Sequence, residues 1–113
     1  MPSKSKSQPA NNERRSQPRA PLGRMGEFFG EARFGAARVR DVSETGLCLE
    51  GPGLPQSGEL SLSIPLPGRD GKLRRCRLEA RVLRTEGERV HLAAKPLRPV
   101  NMLQLRDYVW RNS

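Results

Sequence analysis

The chain has 113 residues, of which 21 are lysine or arginine and 12 aspartate or glutamate, giving a net charge of +9. That length fits one domain, and a hydrophobic content of 35%, broken by ten prolines and eleven glycines, favours short strands and turns over a helical bundle. No apolar run reaches the length of a signal-peptide core or a membrane span, so export and membrane insertion are not expected and a cytoplasmic location is.

Residues 1–24, MPSKSKSQPANNERRSQPRAPLGR, show no apolar periodicity and hold six basic residues against one acid, Glu13. Such a segment cannot bury enough surface to offset its ordering entropy, so a flexible N-terminal arm is expected there. Residues 25–113 are expected to form the folded unit. A first strand is expected around Met25–Phe34, with glycines interrupting its alternation. Two shorter candidates, Ala36–Asp41 and Leu47–Glu50, flank the segment Val42-Ser-Glu-Thr-Gly46.

The period of two is cleanest from Gly58 to Pro67. Leu60, Leu62, Ile64 and Leu66 share one face there, and Glu59, Ser61 and Ser63 the other. The next strand turns Cys76, Leu78, Ala80 and Val82 inward and Arg75, Arg77, Glu79 and Arg81 outward. The last, Glu88 to Lys95, buries Val90, Leu92 and Ala94 and exposes Arg89, His91 and Ala93. Turn signals fall at Gly51-Pro-Gly, Pro55-Gln-Ser-Gly58, Pro67-Gly-Arg-Asp-Gly71 and Glu86-Gly87. Hairpin-length loops predict an antiparallel meander, and closing it into a barrel removes its exposed edges. After Pro99 the period becomes helical, with Met102, Leu105 and Val109 on one stripe and Leu103 and Trp110 beside it. Trp110 is expected to anchor the helix in the core.

Seventeen of the basic residues are arginine. Arginine presents a planar fork of donors that suits phosphate oxygens and guanine edges, which points to a phosphorylated or nucleotide partner. An arginine-rich proteome encoded by GC-rich DNA gives the same excess with no ligand. Catalytic constellations are missing: the chain has one histidine, no nucleophile elbow and no glycine-rich phosphate loop. No cluster has metal-ligand spacing, and Cys48 and Cys76, in unrelated segments, are expected as free thiols. The chain is therefore not expected to be an enzyme or to hold a metal.

Two local patterns remain. One is Arg15-Ser-Gln-Pro-Arg19, preceded by Arg14; the other is Asp41-Val-Ser-Glu-Thr-Gly46. Alone, the first spacing recurs by chance, as at Arg77 and Arg81. Alone, the second reads as a turn in which Asp and Ser side chains bond nearby N–H groups and Gly supplies a positive φ. Together, in this order and about twenty residues apart, they resemble the PilZ family of cyclic di-GMP receptors, from Arg14 to the C-terminal helix.

The resemblance implies a mainly β fold: a six-stranded antiparallel β-barrel with a C-terminal α-helix and a flexible N-terminal arm that folds over ligand on the outer wall. It assigns Arg14, Arg15, Arg19, Asp41, Ser43 and Gly46 to cyclic di-GMP, with no other cofactor. Arg15 and Arg19 would fork onto guanine or phosphate oxygens. Asp41 would accept from guanine N1–H and N2–H₂, Ser43 would offer a hydroxyl, and Gly46 would leave room. Arg14 goes with a stacked pair of ligands, hence two molecules per chain. His91 lies on the outer face, where the family often has glycine; it is either a stacking residue or an exposed strand histidine without a role. The stretch Pro21–Phe34 is shorter and richer in glycine than the family's first strand.

The fold carries no legible output domain within these residues, so the implied signal passes to an unidentified downstream protein through a surface or by oligomerisation. Two other readings stand beside it. One is a small basic nucleic-acid-binding barrel, suggested by the charge and the arm but made unfavourable by the scarcity of aromatic residues for stacking. The other is a PilZ-like pilus or flagellar adaptor that binds no nucleotide.

Overall fold

The computed structural model describes residues 17–113, and each alternating stretch within them is a strand. Arg14 and Arg15 lie outside the described residues. The strands are β1 (Ala20–Gly30), β2 (Phe34–Val42), β3 (Gly46–Glu50), β4 (Glu59–Pro67), β5 (Leu73–Glu86) and β6 (Arg89–Pro96), followed by helix α1 (Pro99–Asn112). They pair antiparallel throughout and close as β1-β2-β3-β6-β5-β4, with β4 returning to β1. This is the six-stranded barrel with a C-terminal helix that the resemblance implied.

The topology differs from a single meander. Two three-stranded meanders, β1-β2-β3 and β4-β5-β6, are joined by residues 51–58, and the seams are β1 with β4 and β3 with β6. Periodicity sets which residues face inward but carries no record of which non-consecutive strands meet. The inward faces are as expected: Leu60, Leu62, Ile64, Leu66, Cys76, Leu78, Ala80, Val90, Leu92 and Ala94 are buried, with Val39, Val42, Leu47 and Leu49. Each such aliphatic side chain contributes about 1.5–3 kcal/mol by leaving water. Val82 is only partly buried, because the β5 register slips between Val82 and Arg84 and leaves Leu83 exposed.

The first strand starts at Ala20, not Met25, and ends at Gly30, so Phe34 opens β2 instead. Proline and glycine argued for an arm here, but both are compatible with a bulge. The register shifts between Pro21 and Arg24, and Gly23 in that gap has a φ of 70°. The extra residue lets Ala20 and Pro21 stay on the ladder opposite Val42 and Asp41. Ala20, fully buried, pins the start of the strand.

Helix α1 packs on β1, β4, β5 and β6, with Leu105 and Val109 of the expected stripe but without Met102. Its buried residues are Asn101, Leu105, Tyr108 and Val109, whereas Met102, Leu103 and Trp110 are exposed. Trp110 is therefore not a core anchor; its indole N–H donates to Glu44 Oε2 at 2.8 Å. The apolar count failed because two polar residues find partners inside. The Asn101 amide donates to Gln104 at 2.8 Å, its carbonyl accepts from the Cys76 thiol at 3.4 Å, and the Tyr108 hydroxyl donates to the Pro21 carbonyl at 2.6 Å. No helix among the described residues is long and apolar enough to cross a membrane.

Candidate functional site

Register brings the two motifs together. Ala20 faces inward opposite Val42, so the preceding residue, Arg19, emerges on the outer wall beside Asp41. Its Nη2 and Nε donate to Asp41 Oδ1 at 2.6 and 3.2 Å. A second link runs from Thr45 Oγ1 to Gln17 Oε1 at 2.8 Å. Gln17 lies within the Arg-x-x-x-Arg segment and Thr45 within the Asp-x-Ser-x-x-Gly segment, so both contacts cross from one motif to the other.

Ser43 is buried, and its hydroxyl serves the turn: Oγ accepts from the Thr45 N–H at 3.3 Å and donates to the Gly46 carbonyl at 3.2 Å. The Ser43 N–H donates to the same carbonyl at 2.8 Å. Its geometry is that of a residue that shapes the turn holding Asp41. Gly46 does not have the expected positive φ. It is required for a different reason, since a Cβ there would sit 2.6 Å from the Leu92 carbonyl oxygen. The turn can be this close to β6 only without a side chain.

Strand pairing then lays out two parallel rows on the outer wall. Asp41, Cys48, His91 and Arg84 are successive cross-strand partners from β2 to β5. Arg38, Glu50, Arg89 and Glu86 form the next row, two residues along. Arg40 stands between them where β2 slips register against β3. Arg19, Arg38, Arg40, Asp41, Glu50 and Arg89 line a shallow groove of about 600 Å³.

Four guanidinium groups thus face two carboxylates. Glu50 holds three of them: Arg89 at 3.1 Å, Arg38 at 3.3 Å and Arg40 at 4.0 Å. Cys48, the cross-strand partner of Asp41, is buried although it is on the outer face. Burial, reinforced by the Asp41 carboxylate, raises its thiol above the ordinary value. His91 lies beyond Cys48, with Nε2 2.8 Å from Glu86 Oε1; that bond, then Arg84, keeps the Glu86 carboxyl below its usual range. His91 is on the wall with the motifs, across Cys48 from Asp41, and its ring is engaged by Glu86.

The sequence reading missed Arg38, Arg40, Glu50 and Arg89 as groove residues. Alternation marks Arg38, Arg40 and Arg89 as outward, but only the β3–β6 seam brings Arg89 to the other two. The helix, too, reaches both motifs. Tyr108 bonds Pro21, two residues past Arg19, while Arg106 Nε at 3.1 Å and Trp110 Nε1 at 2.8 Å hold the two oxygens of Glu44, inside the turn.

The chain is thus a closed six-stranded barrel with an arginine-lined groove on its outer wall, at which two motifs meet. The sequence matches the family described as PilZ domain over residues 13–110, and the chain belongs to that family. Its fold is similar to that in the solved structure of Bacillus subtilis Inhibitor of motility (MotI/DgrA), with a TM-score of 0.71 at 20% sequence identity, covering 85% of this chain and 49% of that one. The chain spans about half the length of that protein. No curated protein matches it.

Proposed function

We propose that the chain is a cyclic di-GMP receptor whose arm and groove close around the ligand, coupling messenger level to a downstream protein. The observation that carries this reading is the contact between Arg19 and Asp41, 2.6 Å across two motifs that are 22 residues apart. A fork of donors and a carboxylate acceptor side by side complement guanine. Asp41 suits the N1–H and N2–H₂ donors, and Arg19 suits O6 and N7. Adenine offers the carboxylate a mismatched edge, so guanine is preferred.

Arg38, Arg40 and Arg89 are suited to the phosphates, taken over from Glu50 as the dianion docks. Arg15 closes the clamp from the arm. Arg14 adds a guanidinium for a second, stacked ligand, giving two per chain, and Arg14→Leu should reduce that to one with binding retained. The links from α1 to Pro21 and Glu44 offer a route by which closure alters the helix surface. The structural neighbour is an inhibitor of motility, which makes motility the first process to examine.

Calorimetric titration with cyclic di-GMP, with GMP and cyclic di-AMP as controls, tests the reading. Saturable binding of two cyclic di-GMP molecules with little response to the controls is the expected result. No binding of cyclic di-GMP would leave the nucleotide-free adaptor. Tight, steeply salt-dependent binding of long single strands alone would favour the nucleic-acid reading.

A further inference from the structure

A larger concavity, of about 1020 Å³, shares no residue with the arginine groove. It lies at the β1–β2 hairpin, between Phe29–Arg33, Leu54–Ser61 and Glu79. Its rim has the opposite charge to the rest of the chain. Glu31, Glu59 and Glu79 line it against one guanidinium, Arg33, which donates to the Gly53 carbonyl at 2.6 Å. Among the described residues five acids have no ion-pair partner, Glu27, Glu88 and these three, and of the three only Glu79 has a side-chain hydrogen bond, accepted from the Ser61 hydroxyl at 3.1 Å. In a chain with 17 arginines, unpaired acids gathered in one place call for a partner. Beside them Phe29 and Phe34, cross-strand neighbours, stand 51% and 79% exposed. Bare aromatics with a charged rim mark a contact surface.

The complementary surface is on the same chain. Leu103 and Trp110 are 60% and 61% exposed, and their spacing of seven residues sets them on one side of α1, two turns apart. Arg106, between them in sequence, pairs with Glu44 at 3.1 Å, and Arg98 and Arg111 flank Leu103 and Trp110. With Arg69, four guanidinium groups stand against two acids, Glu44 and Asp107, and this end keeps a net positive charge. The one acid of α1, Asp107, is taken by Arg69 and Arg111 at 2.7 and 2.8 Å. This face is opposite the buried Leu105 and Tyr108, so docking there leaves the core untouched. An apolar helix face with basic flanks fits an apolar groove with an acidic rim.

A single chain cannot bring the two surfaces together. Helix α1 closes the barrel end marked by Pro21, Pro67 and Arg75, to whose carbonyls Tyr108, Arg111 and Gln104 donate. The acidic groove opens at the other end of the same strands, at Gly30 and Glu59. We infer that the groove of one copy accepts α1 of a second copy, stacking barrels end to end. Such a contact uses a different surface on each copy, so it continues as a chain or closes as a ring.

Analytical ultracentrifugation of the full chain without nucleotide tests this. The wild type should gain mass with concentration and lose it with added salt. Phe29→Thr, which spoils the groove, and Leu103→Gln, which spoils the helix, should each remain monomeric, with unchanged melting because both positions are exposed. Mixed in equal amounts, the two variants should form dimers and nothing larger, since one intact groove meets one intact helix. A wild type that stays monomeric, or a mixture that fails to pair, overturns the inference. Neither substitution touches the arginine groove, so cyclic di-GMP titration of the same variants reads the proposed function separately.

Discussion

Arg19 and Asp41 meet through one carboxylate oxygen, with Oδ1 accepting from both Nη2 and Nε of the guanidinium. The pair is substantially solvent-exposed, and such pairs contribute about 0–1 kcal/mol to stability. Its residues are therefore free to serve a ligand at small cost to the fold. Arg19→Ala should leave the thermal melt nearly unchanged while weakening cyclic di-GMP binding roughly 10- to 100-fold, the worth of one or two charge-assisted bonds. Arg19→Lys should recover only part of it, because the fork is lost. Wild-type affinity in Arg19→Ala would sink the assignment.

Asp41 has a second effect, on Cys48. Burial first, and the Asp41 charge next, disfavour the Cys48 thiolate, so the wild-type thiol should react slowly with a maleimide at neutral pH. In Asp41→Ala both the negative charge and part of the cover are gone, and Cys48 should label faster while Cys76 does not. The same variant should lose its preference for cyclic di-GMP over cyclic di-AMP. Mass spectrometry of the labelled peptides separates the two cysteines. Unchanged Cys48 labelling would mean that Asp41 does not protect the Cys48 thiol.

Tyr108→Phe removes the donor to the Pro21 carbonyl and nothing else from the helix. A lost hydrogen bond of this kind costs about 1 kcal/mol, which for a domain this size lowers Tm by about 4–8 °C. Cyclic di-GMP binding should weaken as well, by roughly two- to tenfold, because Pro21 helps fix the strand that presents Arg19. An unaltered melt would show that the helix is held by its apolar contacts alone.

Much of this was legible beforehand. The inward faces of β4, β5 and β6 follow from their alternation, and both motifs were recognisable from residue types and order. What escaped was set by pairing between distant strands and by polar partners. Arg38 and Glu50 are partners across the β2–β3 hairpin, but Arg89 joins them only through the β3–β6 seam, and no periodicity encodes a seam. Pro21 and Gly23 read as breakers because a bulge and a breaker have the same composition. Asn101 and Tyr108 replaced Met102 and Trp110 inside because their polar atoms are satisfied there, a fact absent from any hydropathy pattern. Gly46 is required in the turn by proximity to the Leu92 carbonyl, not by the positive φ its place in the motif suggests.

Alkaline pH supplies a test of the core. Complete burial pushes the Cys76 thiol up to about 12 from an ordinary 9.0. Between those values the native state keeps its proton and the unfolded state releases it, so stability falls as pH rises, at up to about 1.4 kcal/mol per unit. The Tyr108 phenol, also raised by burial, adds a slope of the same sign. Urea midpoints should therefore decline through the alkaline range, and Cys76→Ala, though less stable near neutrality, should decline less steeply. Parallel curves for the two proteins would rule out Cys76 as the source.

For a receptor of the kind proposed, Glu50 acquires a meaning beyond geometry. A carboxylate fixed beside three guanidinium groups is a tethered competitor, present at constant high effective concentration. Any anion must offer Arg38, Arg40 and Arg89 more than Glu50 already does before it can settle. The messenger concentration at which the protein responds is then set partly outside the signature motifs, by a residue whose side-chain partners among the described residues are arginines. Two chains with identical motifs would answer at different thresholds according to what stands at this one position. Evolution could tune the set point there without disturbing the recognition of guanine.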